Sequence, residues 1–218
     1  MADNRRYFLR KLNIRRKEQG KLFFVPFFFN YILIPFLVYI TYRKFGITDE
    51  TKSVIQKFTQ YFTPILATWW IFMAFIKYVD EAGNEIYFVQ KPMKHKEVLG
   101  FLVCYIISNT PPFLVYGRMF SGMELEWLRI VIECALFAGI AYFLIFFIKN
   151  IAIAMVPVVG YGFMSVLIRG EISPVYCYYG QASATVTELQ TKYMCLFVVA
   201  IVLFCGGILC NSRMCRYN

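Results

Sequence analysis

The sequence predicts an all-α integral membrane protein with six transmembrane helices and both termini in the cytoplasm. Three observations indicate this fold class: 59% of the 218 residues are hydrophobic, the apolar residues fall into long runs, and the positive charges are unevenly distributed. A mean hydropathy of +0.55 is too high for a soluble domain of this length. No internal repeat and no linker to a second soluble domain is visible, so we expect one membrane domain.

The apolar runs are about 18 to 22 residues long, and a helix of that length crosses a hydrocarbon core roughly 30 Å thick. The predicted spans are Phe23–Tyr42, Tyr61–Val79, Val98–Tyr116, Leu128–Ile148, Ile151–Ile168 and Tyr193–Cys210. Only Lys149 and Asn150 separate the fourth span from the fifth, which predicts a tight helical hairpin. The alternative is a five-span chain in which one of these runs is re-entrant.

The positions of Lys and Arg predict the orientation. Eight of the 23 precede the first span, four lie in 77–96, Lys149 is in the hairpin turn, and Arg213 and Arg216 follow the last span. Cytoplasmic segments of membrane proteins are enriched in Lys and Arg, so we assign these segments to the cytoplasm. The net charge of +10 is therefore explained by topology rather than by nucleic-acid binding.

Residues 1–22 predict a basic amphipathic helix lying along the inner leaflet, ahead of the transmembrane domain 23–218. Phe8 and Leu12 are four residues apart and share one helix face, while Arg5 and Arg6 belong to the basic remainder. Apolar groups would lie in the acyl boundary and arginines on lipid phosphates. The alternative is a disordered tail that only sets the topology.

Irregularities are expected in the first span and between the spans. Pro26 and Pro35 predict a bend or a break in the first helix. Polar stretches predict outer loops at 45–59 and 117–127. The longest outer segment, about 170–192, is rich in aromatic and turn residues and is predicted to dip back into the membrane interface.

Several kinds of catalytic site are excluded by composition. His95 is the only histidine, which excludes a multi-histidine metal site. The sequence also contains no phosphate-binding loop of the Gly-x-x-x-x-Gly-Lys-Ser/Thr form, so this chain cannot hydrolyse ATP by that mechanism. We therefore expect a non-enzymatic chain with no metal and no cofactor of its own.

Charged residues inside the spans are scarce, and Arg129 and Glu133 are the main exception. Four residues separate them, so they lie on one helix face. An ionisable residue at membrane depth is a candidate for function, and the alternative is an ion pair that joins helices near the outer end of the fourth span. Uncharged polar residues could line a path or join helices. These are Asn30, Thr63, Thr68, Ser108, Asn109 and Thr110.

The polar interlude of about 80–96, between the second and third spans, is the most distinctive local pattern. It begins with acidic residues and a glycine, continues with four apolar residues, and becomes lysine-rich after a proline. The residues that define the pattern are Glu81, Gly83, Glu85, Ile86, Tyr87, Phe88 and Pro92. An apolar knob on a short helix suits docking into a groove of a cytosolic protein. The alternative is a loop lying on the membrane, anchored by Tyr87 and Phe88.

This pattern resembles the membrane subunits of type-2 ATP-binding-cassette (ABC) permeases. In that family the segment commonly reads Glu-x-Gly-Thr-x-Glu, followed by apolar residues and a proline nine positions after the glycine. Glu81, Gly83 and Pro92 match this spacing, whereas Asn84 replaces the usual threonine and Glu85 comes one residue early. No specific contact is therefore assigned to Glu85.

The resemblance implies a permease subunit of an exporter in a bacterial plasma membrane. It implies partners as well: cytosolic ABC ATPase subunits, which would bind ATP and magnesium, and a second permease subunit, the same chain or a related one. It also implies an amphiphilic cargo such as a peptide, an antibiotic or a lipid. Three alternatives remain open on the residues: the substrate-binding membrane subunit of an energy-coupling-factor vitamin importer, an intramembrane lipid-acting enzyme, and a non-transporting scaffold.

Overall fold

A computed structural model describes residues 20–80, 94–168, 177–180 and 183–214, together with Lys17. All regular secondary structure in these residues is helical, as predicted. The helices are α1 (Gly20–Phe45), α2 (Asp49–Ala67), α3 (Trp69–Val79), α4 (Lys94–Met119), α5 (Met123–Ile148), α6 (Ile151–Ile168) and α7 (Val186–Arg213). The predicted interfacial helix, with Arg5, Arg6, Phe8 and Leu12, lies outside the described residues, as does much of the outer segment.

Five of these helices are long and apolar enough to cross a membrane, namely α1, α4, α5, α6 and α7. The two-residue turn predicted between the fourth and fifth spans is confirmed, since α5 ends at Ile148 and α6 begins at Ile151. Lys149 adopts a positive φ of 60° in this turn, and the Asn150 side chain accepts a hydrogen bond from the backbone N–H of Ile153 (2.9 Å).

The predicted second span corresponds to the second half of α2 and all of α3. Lys52 Nζ, near the start of α2, donates to the carbonyl oxygen of Ser121 (2.8 Å). Asp80 Oδ1, just after α3, accepts from the backbone N–H of Ile151 (3.2 Å). Ser121 and Ile151 flank the two ends of α5, so α2 and α3 in series extend along its whole length. We name the two ends of the bundle the Ser121 end and the Ile151 end.

The break between α2 and α3 is at Thr68. Its backbone N–H and its hydroxyl both donate to the carbonyl oxygen of Ile65, at 3.1 and 2.7 Å. A bond to the third preceding residue tightens the last turn of α2, and the next helix begins at Trp69. The helical path continues beyond the break, because Phe72 N–H bonds the Thr68 carbonyl oxygen (2.9 Å).

The two predicted outer loops are much shorter than expected. α2 begins at Asp49, so most of 45–59 is helical, and only 120–122 separates α4 from α5 within 117–127. Asp49 and Glu50 occupy the first turn of α2, where the positive end of the helix dipole stabilises carboxylates. In α5, Glu126 and Arg129 are buried against partners instead of being exposed in a loop, whereas Glu124 is exposed.

The first helix continues through both of its prolines, so no break occurs. Pro26 stands in the first turn of an α-helical stretch, where its missing N–H leaves no bond unmade. Before Pro35 the helix widens into a π turn over Phe29–Leu33. Such local changes of hydrogen bonding are how membrane helices accommodate proline.

α5 is the centre of the bundle. Its most apolar window is 67% buried, against 22–33% for the other four candidate spans. It packs closely on α7, because a Cβ added at Gly139 would meet the backbone oxygen of Ala200 at 2.8 Å. Small residues permit this approach of two membrane helices. α1 and α7 expose large apolar side chains, for example Ile32 (58%) and Val202 (64%), as expected beside lipid.

Candidate functional site

A cluster of charged side chains is buried near the Ser121 end of α5. The structure places both predicted intramembrane residues, Arg129 and Glu133, on α5 with their side chains fully buried. Arg129 forms ion pairs with Glu126, one turn earlier (3.1 Å), and with Glu188 of α7 (2.9 Å). With Lys192, these residues form what we call the charge cluster: Glu126, Arg129, Glu133, Glu188 and Lys192.

Glu126 connects α5 to α2 and to the segment before α7. Its Oε1 accepts hydrogen bonds from Gln56 Nε2 (2.9 Å) and from the backbone N–H of Ala184. Gln60 Nε2 lies 3.5 Å from its other oxygen, and the Gln60 Oε1 atom accepts from the backbone N–H of Gly180 (3.0 Å). Since burying an ionised group is costly unless it is paired and hydrogen-bonded, these contacts account for the burial of Glu126.

The residues before and at the start of α7 close over the cluster. Lys192 Nζ donates to the Tyr179 carbonyl oxygen (3.1 Å), and the Tyr193 hydroxyl donates to that of Tyr178 (2.7 Å). The guanidinium of Arg129 lies 5.2 Å from the centre of the Tyr193 ring, within cation–π range. A Cβ at Gly180 would lie 3.0 Å from the Arg129 guanidinium, so the backbone closely approaches this cation and a larger residue would require the guanidinium to shift.

Glu133 differs from Glu126 in its surroundings. Within the part of the chain that the structure describes, neither oxygen of its buried carboxyl group has a hydrogen-bond partner within bonding geometry. The Tyr193 hydroxyl is close enough to interact with it, and Arg129 and Lys192 are cations near it. The Tyr193 hydroxyl has a single proton, which it donates to the Tyr178 carbonyl oxygen. It therefore has no proton left to donate to Glu133.

Deeper in the bundle, three helices are joined by one polar network. Asn30 Nδ2 donates to the Tyr105 hydroxyl (2.9 Å), Thr63 Oγ1 donates to Asn30 Oδ1 (3.2 Å), and the Tyr105 hydroxyl donates to the Thr63 carbonyl oxygen (2.8 Å). The other predicted polar residues bond backbone oxygens of their own helices. These are Thr68, Ser108, Asn109 and Thr110. These contacts fit the role of joining and stabilising helices.

The Ile151 end contains a second group of polar contacts, formed by residues on either side of 81–93 in the polar interlude. Asp80 accepts from the first turn of α6 at Ile151 (3.2 Å). Lys94, at the start of α4, is buried with its ammonium 5.3 Å from the centre of the Tyr78 ring and 5.5 Å from that of Phe146. The chain therefore leaves α3 and enters α4 against the ends of α5 and α6.

The residues that define the polar interlude themselves lie outside the described residues. They are Glu81, Gly83, Glu85, Ile86, Tyr87, Phe88 and Pro92. What the structure describes is the attachment of that segment at Asp80 and at Lys94.

Four members of the site were not singled out from the sequence: Gln56, Gln60, Glu126 and Glu188. Gln56, Gln60 and Thr63 follow a three- and four-residue spacing that predicts one polar stripe on a helix, and Glu126 precedes Arg129 by three residues. Both signals were obscured because 45–59 and 117–127 were interpreted as loops. The partner on α7, Glu188, has no local signal of its contact with Arg129.

Among the described residues, no group of three or more His, Cys, Asp or Glu side chains is arranged to bind a metal ion. The charge cluster pairs carboxylates with cations and with amide groups, an arrangement that fixes the positions of α2, α5 and α7 at one end of the bundle. Searches for related proteins found no matching family model, no matching curated protein and no matching solved structure.

Proposed function

We propose that this chain is the membrane permease subunit of an ABC exporter, with six spans and both termini in the cytoplasm. The sixth span is the α2–α3 pair. If α5 crosses the bilayer, α2 and α3 cross it too, because they reach from Ser121 to Ile151 beside it. An even number of spans agrees with the excess of Lys and Arg at both termini.

The attachment of the segment 81–93 is the observation that carries this proposal. Asp80 contacts the first turn of α6, and Lys94 packs on Tyr78 of α3 and Phe146 of α5. A partner that displaced this segment would therefore act on α3, α4, α5 and α6 together. Rigid elements with direct contacts of this kind are what a rigid-body switch between two states requires.

In this proposal Ile86, Tyr87 and Phe88 bind a groove on a cytosolic ABC ATPase, which holds the ATP and the magnesium. Two ATPase subunits and a second permease, the same chain or a related one, complete the transporter. The cargo is amphiphilic: a peptide, an antibiotic or a lipid. The charge cluster closes the Ser121 end, which in this topology faces outward.

The proposal is tested by isolating the protein in mild detergent and identifying any ATPase that accompanies it. The double variant Tyr87→Ala, Phe88→Ala is expected to lose stimulation of that ATPase, because the apolar docking contact is removed. Tyr39→Ala is a matched control: Tyr39 is 56% exposed on α1, far from the segment in sequence. Full ATPase stimulation in the double variant contradicts the proposal. So does the absence of any ATPase from the wild-type preparation, both as isolated and after reconstitution into lipid.

A further inference from the structure

A groove with a volume of about 560 Å³ lies on the side of the bundle between α2 and α6. We propose that it binds an anionic membrane phospholipid, with an acyl chain between the two helices and the head-group phosphate at Lys57. This site is separate from the transport proposal and does not depend on it. Its volume is within the range of about 300–1,000 Å³ that is typical of ligand pockets.

The walls of the groove are apolar over most of their length. α2 contributes Phe58 and Phe62, whose rings are stacked with centroids 6.3 Å apart. α6 contributes Phe163 and Leu167, and Leu167 is 72% exposed. A chain lying here would cover exposed apolar surface on two helices at once.

An aromatic contact joins the two walls of the groove. Tyr61 of α2 and Phe163 of α6 meet edge to face, with ring centroids 5.4 Å apart. Tyr179 also lines the groove, and its side chain is largely buried because the residue packs within the bundle. α2, α6 and Tyr179 therefore all contribute aromatic side chains to the groove.

The part of the groove nearest the Ser121 end is polar and cationic. Ser53, Lys57 and Tyr61 are spaced by four residues, which places them on one face of α2 in order from the Ser121 end inward. Lys57 is exposed, and no carboxylate among the described residues forms an ion pair with it. The Lys57 ammonium and the Ser53 hydroxyl suit a negatively charged head group, and the aromatic walls suit an apolar tail.

The polarity of the groove also matches the direction of a lipid in a bilayer. Lys57 lies one residue from Gln56, at the level where α2 reaches the charge cluster, and so near the Ser121 end. Tyr61 and Phe62 lie further from that end along α2, toward the depth of the acyl chains. An ammonium group at the membrane surface attracts anionic lipid, and its contribution to binding is equivalent to about a fivefold change in affinity.

The test measures how much lipid remains on the purified protein. Wild-type protein and variants are equilibrated in mild detergent with phosphatidylglycerol or with phosphatidylcholine, and the retained lipid is counted by native mass spectrometry. We expect Lys57→Gln to lower retained phosphatidylglycerol about fivefold and to leave phosphatidylcholine unchanged. Lys44→Gln is the matched control, because Lys44 is also an exposed cation near that end but lies on α1, outside the groove.

A second variant tests the apolar part of the site. Val166→Trp places an indole in the groove, and we expect it to lower the retention of both lipids while the thermal unfolding temperature stays near that of the wild type. Soluble glycerol phosphate at equal concentration is expected not to compete, since it lacks the chain. Equal retention of phosphatidylglycerol by wild type, Lys57→Gln and Val166→Trp would overturn the proposal. The proposal would also be overturned if Val166→Trp changed the oligomeric state of the protein but not the amount of lipid retained.

Discussion

Glu126 and Glu133 are two buried carboxyl groups on the same helix with opposite surroundings. Glu126 accepts hydrogen bonds from Gln56 and Ala184 and pairs with Arg129. Glu133 has no hydrogen-bond donor in bonding geometry among the described residues. Removing a partner from a satisfied buried charge is costly, whereas removing an unsatisfied charge is not. The two positions therefore differ in what neutralisation by glutamine would do.

We expect Glu126→Gln to lower the free energy of unfolding by about 1.5–3 kcal/mol, the usual contribution of hydrogen bonds to charged groups. We expect Glu133→Gln to leave it within about 1 kcal/mol of the wild type or to raise it, since no donor loses a partner. Thermal unfolding in detergent, followed for both variants in parallel, measures the difference. A larger loss for Glu133→Gln than for Glu126→Gln would show that Glu133 is the better satisfied charge, contrary to the structure.

At the scale of the elements, apolar run length alone predicted the existence and the type of five helices and the two-residue turn at Lys149. It did not predict where helices begin. Polar residues at 49–59 and 117–127 suggested loops, but Gln56 and Glu126 are buried by bonding each other across α2 and α5. A pattern of local hydrophobicity cannot detect a partner 70 residues away in the chain.

The candidate site could also be predicted only in part from the sequence. Arg129 and Glu133 were identified because charge inside an apolar run is visible without any structure. Glu188 and the backbone groups of Tyr178, Tyr179 and Gly180 were not, because their roles arise from the return of the chain over the cluster. The sequence thus indicated that the site lies on α5. It did not indicate that 178–180 and the start of α7 cover the charge cluster.

The packing of α5 on α7 gives a test at this scale. We expect Gly139→Ala to lower the unfolding free energy by about 1–3 kcal/mol, because the new Cβ would meet the Ala200 oxygen at 2.8 Å and the helices must separate. Gly160→Ala in α6 is the matched control, since a Cβ there meets nothing within 4 Å. Parallel thermal unfolding of the two variants measures the effect, and equal stabilities would argue against close α5–α7 contact.

For the whole molecule, the arrangement of the two bundle ends makes a prediction about topology. We expect a cysteine at Thr48 or Ser121 to react with a membrane-impermeant maleimide on intact cells, because both positions are at the Ser121 end. We expect a cysteine at Gly83 or Lys149 to react only after permeabilisation, since 81–93 leaves the bundle at the Ile151 end. The parent protein, with its seven cysteines, gives the background.

Reaction of the Gly83→Cys variant on intact cells would place the segment 81–93 outside the cell and would contradict the permease proposal. Protection of Thr48→Cys with reaction of Ser121→Cys would instead show that the α2–α3 pair does not cross the bilayer, since that pair and the candidate span α4 are the only helices between the two positions. In that case the chain would have an odd number of spans. The four positions together therefore separate an error of orientation from an error of span number.

The buried ions at the Ser121 end affect how that end could open. Separating α2 from α5 there would break the Gln56–Glu126 hydrogen bond but not the Glu126–Arg129 ion pair, because both ions lie on α5, and the water that entered would hydrate the charged groups. An apolar contact of equal area would instead cost about 25 cal/mol of free energy for each Å² of apolar surface exposed to water. We therefore expect that separating α2 from α5 at this end needs less work than separating an apolar contact of equal area.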